Sequence, residues 1–382
     1  MRLGKAGRCW LAAMGIGWAL PSGAVVTVGP WQEHAESRAD APGPQRRQRF
    51  ARFALGPVTY NLSYTAWLKP DDPTFCKVGE GPTGMPEPTS EGWYHGGFIN
   101  VSLDGRRLDQ VPLSSFELVE HGDRGVVDLV WHDPRADLRY RVIGRDGEDH
   151  LLLEVTIEPQ AAVKSWQVEL VAYPSYFTSW NKRVGARRIW TPGGTLAQGQ
   201  RLTRTPHDGR AALLYDEVFD PAKGEGRGPC GLAVAESGLD SIEFQTTDYP
   251  CWVRLRPKPE SRTVRLALWK FPDQANAPLL ASFPAKSETA LAELAATDFT
   301  PAAFKSFDPA EMTRLLAAAR ARPAAVKALG PKLDRLAAWL EACHPPAPGQ
   351  PLSIAGAETF LAGVREQEDF IWEIRLNQLL DF

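Results

Sequence analysis

The sequence predicts a mainly β protein, a large antiparallel two-sheet β-sandwich with a C-terminal α-helical region. Three observations carry that reading. Between about residues 53 and 271 apolar and polar residues alternate in stretch after stretch, Asp-Gly pairs at 104–105 and 146–147 supply hairpin turns, and past about residue 286 the apolar period changes to three or four.

The elements follow in order. Arg2, Lys5 and Arg8 precede an apolar run from Cys9 to Leu20, and Pro21-Ser22-Gly23-Ala24 offers small residues where a signal peptidase cuts. Residues 1–24 therefore read as a cleaved export signal, and the mature chain is expected to be periplasmic or secreted. The run is shorter than the roughly 20 apolar residues a bilayer span needs, and no later stretch reaches that length, so no membrane span is expected after cleavage. Cleavage removes three basic and no acidic residues from a chain of formal net charge −3, leaving −6. An acidic balance of that kind argues against a nucleic-acid partner, whose phosphates need a basic face. Residues 25–50 are expected to be a linker or disordered, because HAESRADAPGPQRRQRF is polar, rich in Ala, Pro and Arg, and has no apolar period.

The sandwich domain is expected over residues 51–285. FINVSL sets Ile99, Val101 and Leu103 against Asn100 and Ser102. VVDLVW, LRYRVI and LLLEVTIE repeat that grammar, with Val127, Leu129 and Trp131, then Leu138, Tyr140 and Val142, then Leu151, Leu153, Val155 and Ile157 facing inward. Further strands are expected at 164–173, 211–218, 229–235, 241–246, 251–256 and 262–271, too many for a small immunoglobulin-like module. The run from 69 to 97 is crowded with Pro and Gly and reads as a long loop. In the helical region, residues 286–382, Asp308-Pro309-Ala310-Glu311 has an N-cap acceptor, Pro at the first position and Glu at the third. A second helix begins at Pro323 and stops before Pro345, and a third covers roughly 356–380. Their apolar stripes predict packing against one another and on the sandwich.

Candidate site residues come from strand geometry. In SWQVELVAY, Trp166, Val168, Leu170 and Ala172 share one face, which leaves Gln167, Glu169, Val171 and Tyr173 on the more polar one. Pro174 ends the ladder, and Tyr176, Phe177, Trp180, Asn181 and Arg183 fall on the loop beyond it. CWVRLRP buries Cys251, Val253 and Leu255 and sets Trp252, Arg254 and Arg256 opposite. Aromatic rings among amides, carboxylates and guanidiniums suit a sugar, whose apolar ring face stacks while its hydroxyls take directional hydrogen bonds. The expected ligand-binding set is Tyr173, Tyr176, Trp180, Asn181, Arg183, Trp252, Arg254 and Arg256, with a glycan or polysaccharide as partner. The alternative for the same rings is a layer covered by loops or by the helical tail.

This polar face on a long antiparallel meander resembles the galactose-mutarotase-like supersandwich of carbohydrate-active proteins over roughly residues 50–285. The resemblance is architectural. It implies a sugar-related role and assigns no catalytic residue.

Motifs that fix a reaction are missing: the sequence has no GxSxG, HExxH, P-loop or GxGxxG opening a helix, and no metal or cofactor is expected. A lyase acting on an acidic polysaccharide needs a Tyr or His base and a cation for the uronate, roles open to His95, Tyr176 and Arg183. Three readings therefore stand: an exported glycan-binding protein, a polysaccharide lyase or hydrolase, and a structural or assembly protein of the cell envelope. Four cysteines remain after cleavage, Cys76, Cys230, Cys251 and Cys343; Cys230 and Cys251, each opening a nearby strand, are the expected disulfide.

Overall fold

The computed structural model describes residues 25–38, 41–69, 72–86, 92–174, 186–223, 228–272, 274–305, 308–343 and 352–380. The fold is mainly β, with three antiparallel sheets and helices concentrated toward the C-terminus.

The largest sheet has nine strands. From edge to edge they are Gly194–Ala197 (β14), Arg187–Thr191 (β13), Ala211–Asp216 (β16), Cys230–Val234 (β17), Thr263–Lys270 (β20), His150–Pro159 (β11), Ala136–Arg145 (β10), Arg124–Asp133 (β9) and Leu113–Glu120 (β8). The second sheet has six: Arg201–Arg204 (β15), Leu239–Thr246 (β18), Cys251–Pro257 (β19), Trp166–Ala172 (β12), Ile99–Leu103 (β6) and Arg106–Arg107 (β7). The third is built on Ala41–Ala54 (β3), which pairs with Val26–Val28 (β1), Gln32–Arg38 (β2) and Thr59–Lys69 (β4); β4 in turn pairs with Asp72–Gly84 (β5). The inward rows read from the sequence meet in one core: Val127, Leu129 and Trp131, Leu138 and Tyr140, Leu153 and Val155 face Val168, Leu170, Val253 and Leu255 across the sandwich. Phe53, Tyr60 and Tyr64 of the third sheet close the same core.

The outer face of the nine-stranded sheet is covered by helix. Asn276–Ala296 (α2) lays Leu279, Phe283, Ala290 and Leu294 on Leu152, Leu213, Ala233 and Trp269. A Cβ at Gly231 would sit 2.6 Å from the Phe283 ring, so only glycine lets the helix approach this closely. Charge locks the joint: His150 Nε2 lies 2.9 Å from Glu293, Lys286 pairs with Asp149, and Arg145 pairs with Glu293. Beyond α2, and after the short helices Pro206–Gly209 (α1) and Ala302–Lys305 (α3), come Pro309–Arg320 (α4), Pro323–Cys343 (α5) and Ile354–Leu380 (α6). These last three share a second apolar centre of Leu316, Leu336, Trp339 and Phe360. Asp308 caps α4 by accepting from the Ala310 and Glu311 amides, as its sequence predicts. No described helix is long and apolar enough to cross a membrane.

Several expectations are revised. Residues 25–50, expected to be a linker or disordered, contain β1, β2 and most of β3; backbone pairing and the Arg47 guanidinium 4.2 Å over Trp31 hold them, and neither leaves an apolar period. The Pro- and Gly-rich run expected as a loop holds β5. Helix begins at Asn276, ahead of the expected boundary at 286. Cys230 and Cys251 form no disulfide: they open strands of different sheets, both are free and fully buried, and burial pushes both thiols up, well away from reactive thiolate. The expected export signal, residues 1–24, lies outside the described residues.

Candidate functional site

The outer face of the six-stranded sheet carries three of the predicted site residues, Trp252, Arg254 and Arg256. Ile99, Val101, Val168, Leu170, Ile242, Phe244, Val253 and Leu255 turn inward and are buried, so the period of two sends their neighbours out. Register aligns those neighbours in straight rows. Asn100 stands opposite Glu169, Glu169 opposite Arg254, Arg254 opposite Glu243, and Glu243 opposite Thr203. The adjacent row is Val171, Trp252, Gln245 and Arg201.

Glu243 organises the face. Arg254 Nη1 and Arg256 Nη2 reach its carboxylate at 2.8 and 2.7 Å, and Arg201 Nη2 reaches it at 2.8 Å. Wrapped in this way Glu243 is only 3% exposed. Burial alone would raise its pKa, but the surrounding guanidiniums outweigh that and hold it below the usual carboxylate range. Arg254 also binds Glu169 through Nε at 2.6 Å and Gln245 through Nη1 at 2.8 Å, and its Cζ lies 5.6 Å from the half-buried Trp252 ring. Arg256 and Arg201 each spend a single nitrogen on Glu243, and their side chains are 41% and 60% exposed. Most of each fork therefore faces solvent. The side-chain Oδ1 of Asn100, at the end of the first row, is buried and has no hydrogen-bond partner among the described residues.

Tyrosines crown one end of these rows. Residues 92–98 prolong the edge of the sheet along β12: Tyr94 N donates to Val171 O, Val171 N to Phe98 O and Tyr173 N to Gly92 O. Trp93 anchors the segment by donating from Nε1 to Trp269 O at 2.9 Å. A Cβ on Gly84 would overlap the His95 carbonyl, so glycine in β5 permits this segment to lie where it does. Tyr173 is only 5% exposed, covered by Tyr94 and Tyr249 at ring-centroid distances of 4.6 and 4.9 Å. Tyr249 is 39% exposed. Burial, followed by the neighbouring phenols, raises the pKa of both Tyr173 and Tyr94, so these hydroxyls stay neutral and donate rather than act as bases. Beneath them Arg187 is fully buried and donates from Nη1 to Pro174 O at 2.6 Å, bracing the chain where the predicted loop departs.

Among the predicted residues, Trp252, Arg254 and Arg256 share this face, Tyr173 supports its end from below, and exposed His95 stands beside Tyr94 at 5.1 Å. Tyr176, Trp180, Asn181 and Arg183 lie outside the described residues. Glu243, Gln245, Arg201 and Tyr249 were missed. The first two follow from alternation in SIEFQT, where Ile242 and Phe244 point inward.

Two other clusters hold the fold. Glu148, His150 and Glu293 place ligand atoms within 4.8 Å of one another, but Arg145 and Lys286 already bring positive charge there, and the cluster fastens α2. Ser114 Oγ donates to Glu358 at 2.7 Å, while His132 bridges Glu358 and Asp137, each at 2.7 Å. Ser114 thus meets a carboxylate instead of the imidazole, so these groups tie α6 to the sheet and make no nucleophile–base pair.

No protein-family profile and no curated protein sequence matches the chain. Solved structures do. An α-galactosidase of glycoside hydrolase family 36 from Geobacillus stearothermophilus is similar at 10% identity and a TM-score of 0.32, over 64% of this chain and 41% of that one. An α-N-acetylgalactosaminidase from Bifidobacterium bifidum follows at 7% identity and 0.38, over 68% and 39%. A protein from Klebsiella pneumoniae described as a candidate aldose 1-epimerase follows at 9% and 0.36, over 72% and 93%. The chain thus spans about two fifths of the galactosidase it matches. The set meets the expected resemblance to mutarotase-like carbohydrate-active proteins. At these scores it is a likeness of architecture and carries no argument about what this chain binds.

Proposed function

We propose that this protein binds glycans on the outer face of its six-stranded sheet. The observation that carries the proposal is the Trp252 ring set in a row of guanidiniums whose forks are only partly used. Trp252 offers a platform for a pyranose face, and Arg254 keeps the ring's surroundings polar. Arg256 and Arg201, fixed by Glu243 at one nitrogen each, have further N–H groups for hydroxyls or carboxylates of an acidic glycan. Tyr249 extends the aromatic surface at the end of the face.

Recognition suits these groups better than proton transfer. Glu243 is held ionised and Tyr94 and Tyr173 are held neutral, so none of these three is poised to exchange a proton near neutral pH. An array of acidic and neutral oligosaccharides probed with the folded protein tests the proposal. Binding concentrated among uronate-bearing or sulfated members is expected, and an array with no bound member refutes it. The same proposal places the protein outside the cytoplasm, on the strength of residues 1–24; an exported chain beginning near Val25 by mass spectrometry is expected, and an intact Met1 would sink that part.

A further inference from the structure

We propose that a second site lies between the nine-stranded sheet and the C-terminal helices, and that it takes a small molecule with an apolar body and one carboxylate, held by Arg139. The cavity there has a volume of about 530 Å³, within the range of small-molecule pockets. It is on the far side of the nine-stranded sheet from the glycan face, and the two sites share no residue.

Its walls are mainly apolar. Leu118, Val119 and Val130 come from the sheet, and Ile354, Leu361 and Val364 from α6. Most carboxylates in or beside it are already matched. Asp128 is held at both oxygens by Arg141, at 2.8 and 2.6 Å. Glu358 is held by Ser114 and His132, Glu117 by Arg49, and Glu158 accepts from the Ile354 amide. Arg139 is different. Its Nη2 contacts Glu154 at 3.1 Å and Thr156 at 3.4 Å, while Nε is buried without a partner and Nη1 makes no hydrogen bond among the described residues. Glu154 also serves Arg265 at 2.9 Å, so two guanidiniums divide that carboxylate. The Nη1 donors of Arg139 gain from an anion placed in the cavity, and a carboxylate supplies a charge-assisted acceptor there. The apolar walls then fit a hydrocarbon body better than a sugar, whose hydroxyls would lose water without finding partners.

Calorimetric titration of the full-length protein with sodium decanoate, beside 1-decanol, tests this. The acid should bind, and the alcohol should bind at least tenfold more weakly, the worth of one charge-assisted hydrogen bond. Arg139→Met, which keeps the stem, should weaken decanoate to about the level of the alcohol. Ala362→Phe fills the cavity from the α6 side and should abolish binding of both, which keeps the test decisive if Arg139→Met fails to fold. No binding of decanoate by the wild type, equal binding of acid and alcohol, or undiminished binding by Ala362→Phe would each overturn the proposal. Trp252→Ala should leave decanoate binding unchanged, which separates this site from the glycan face.

Discussion

Raising the pH should loosen the joint between α2 and the nine-stranded sheet, and His150 is the group that reports it. The imidazole is almost fully buried, with Nδ1 3.3 Å from Asp149 Oδ1 and Nε2 2.9 Å from Glu293 Oε2; Glu148 is farther, at 3.9 Å from Nδ1. Burial lowers its pKa, but the bonds to Asp149 and Glu293 outweigh that and raise it from 6.5 to about 9. A folded-state value above the unfolded one means the fold favours the imidazolium. Its contribution is fully present below about pH 6.5 and is lost as the pH rises through about 9, and the gap corresponds to roughly 3 kcal/mol. Urea unfolding of wild type and His150→Gln at about pH 6, 7.5 and 9.5 isolates it, because His132, raised in the same direction by Asp137 and Glu358, is common to both proteins. The wild-type advantage should shrink by on the order of 3 kcal/mol across that window. A difference that stays constant with pH would refute the reasoning, since it would mean that the imidazole is not charged by its partners.

Phe283→Ala should cost about 3–5 kcal/mol in urea melts, because the ring is fully buried with edge contacts to Trp190, Trp269 and Phe271; a loss under about 1 kcal/mol would show that α2 is dispensable. Arg141→Met should cost a similar 3–5 kcal/mol by leaving Asp128 buried without its cation, and stability unchanged at neutral pH would contradict the pairing. Glu243→Gln should cost about 2 kcal/mol, chiefly at Arg254, and should also misplace the donors of the glycan face; unchanged stability together with unchanged glycan affinity would remove Glu243 from its organising role.

The sandwich was legible because strands such as β6 and β19 bury one face and not the other, and that writes a period of two. Val127, Leu129 and Trp131 could be assigned inward from six letters of sequence, and they are. Helix α2 was harder: its buried row includes Ser287 and Ala290, and Pro284 interrupts the run, so the stripe is faint. In β3, Arg47 and Arg49 pack over Trp31, a contact made by a guanidinium and a ring that leaves no apolar signature. Cys230 and Cys251 are close in sequence, but which sheet a strand joins is set by long-range pairing that spacing does not record. At the site, alternation placed Trp252, Arg254 and Arg256 on one face. The same rule extended to SIEFQT would have added Glu243 and Gln245. The crown of Tyr94, Tyr173 and Tyr249 joins segments far apart in the chain, and no local pattern announces it.

The central claim is that the outer face of the six-stranded sheet holds a glycan through Trp252 and its guanidinium neighbours. Calorimetric titration of the tightest array ligand into wild type, Trp252→Ala and Arg256→Ala tests it most directly. Trp252 and Arg256 both point away from the core, so both variants should keep the wild-type melting temperature to within a few degrees. Loss of the ring should weaken binding about five- to tenfold, the worth of one aromatic contact of about 1 kcal/mol, and loss of the guanidinium should weaken acidic ligands more than neutral ones. Wild-type affinity in both folded variants would contradict the claim and return this face to an ordinary solvated surface.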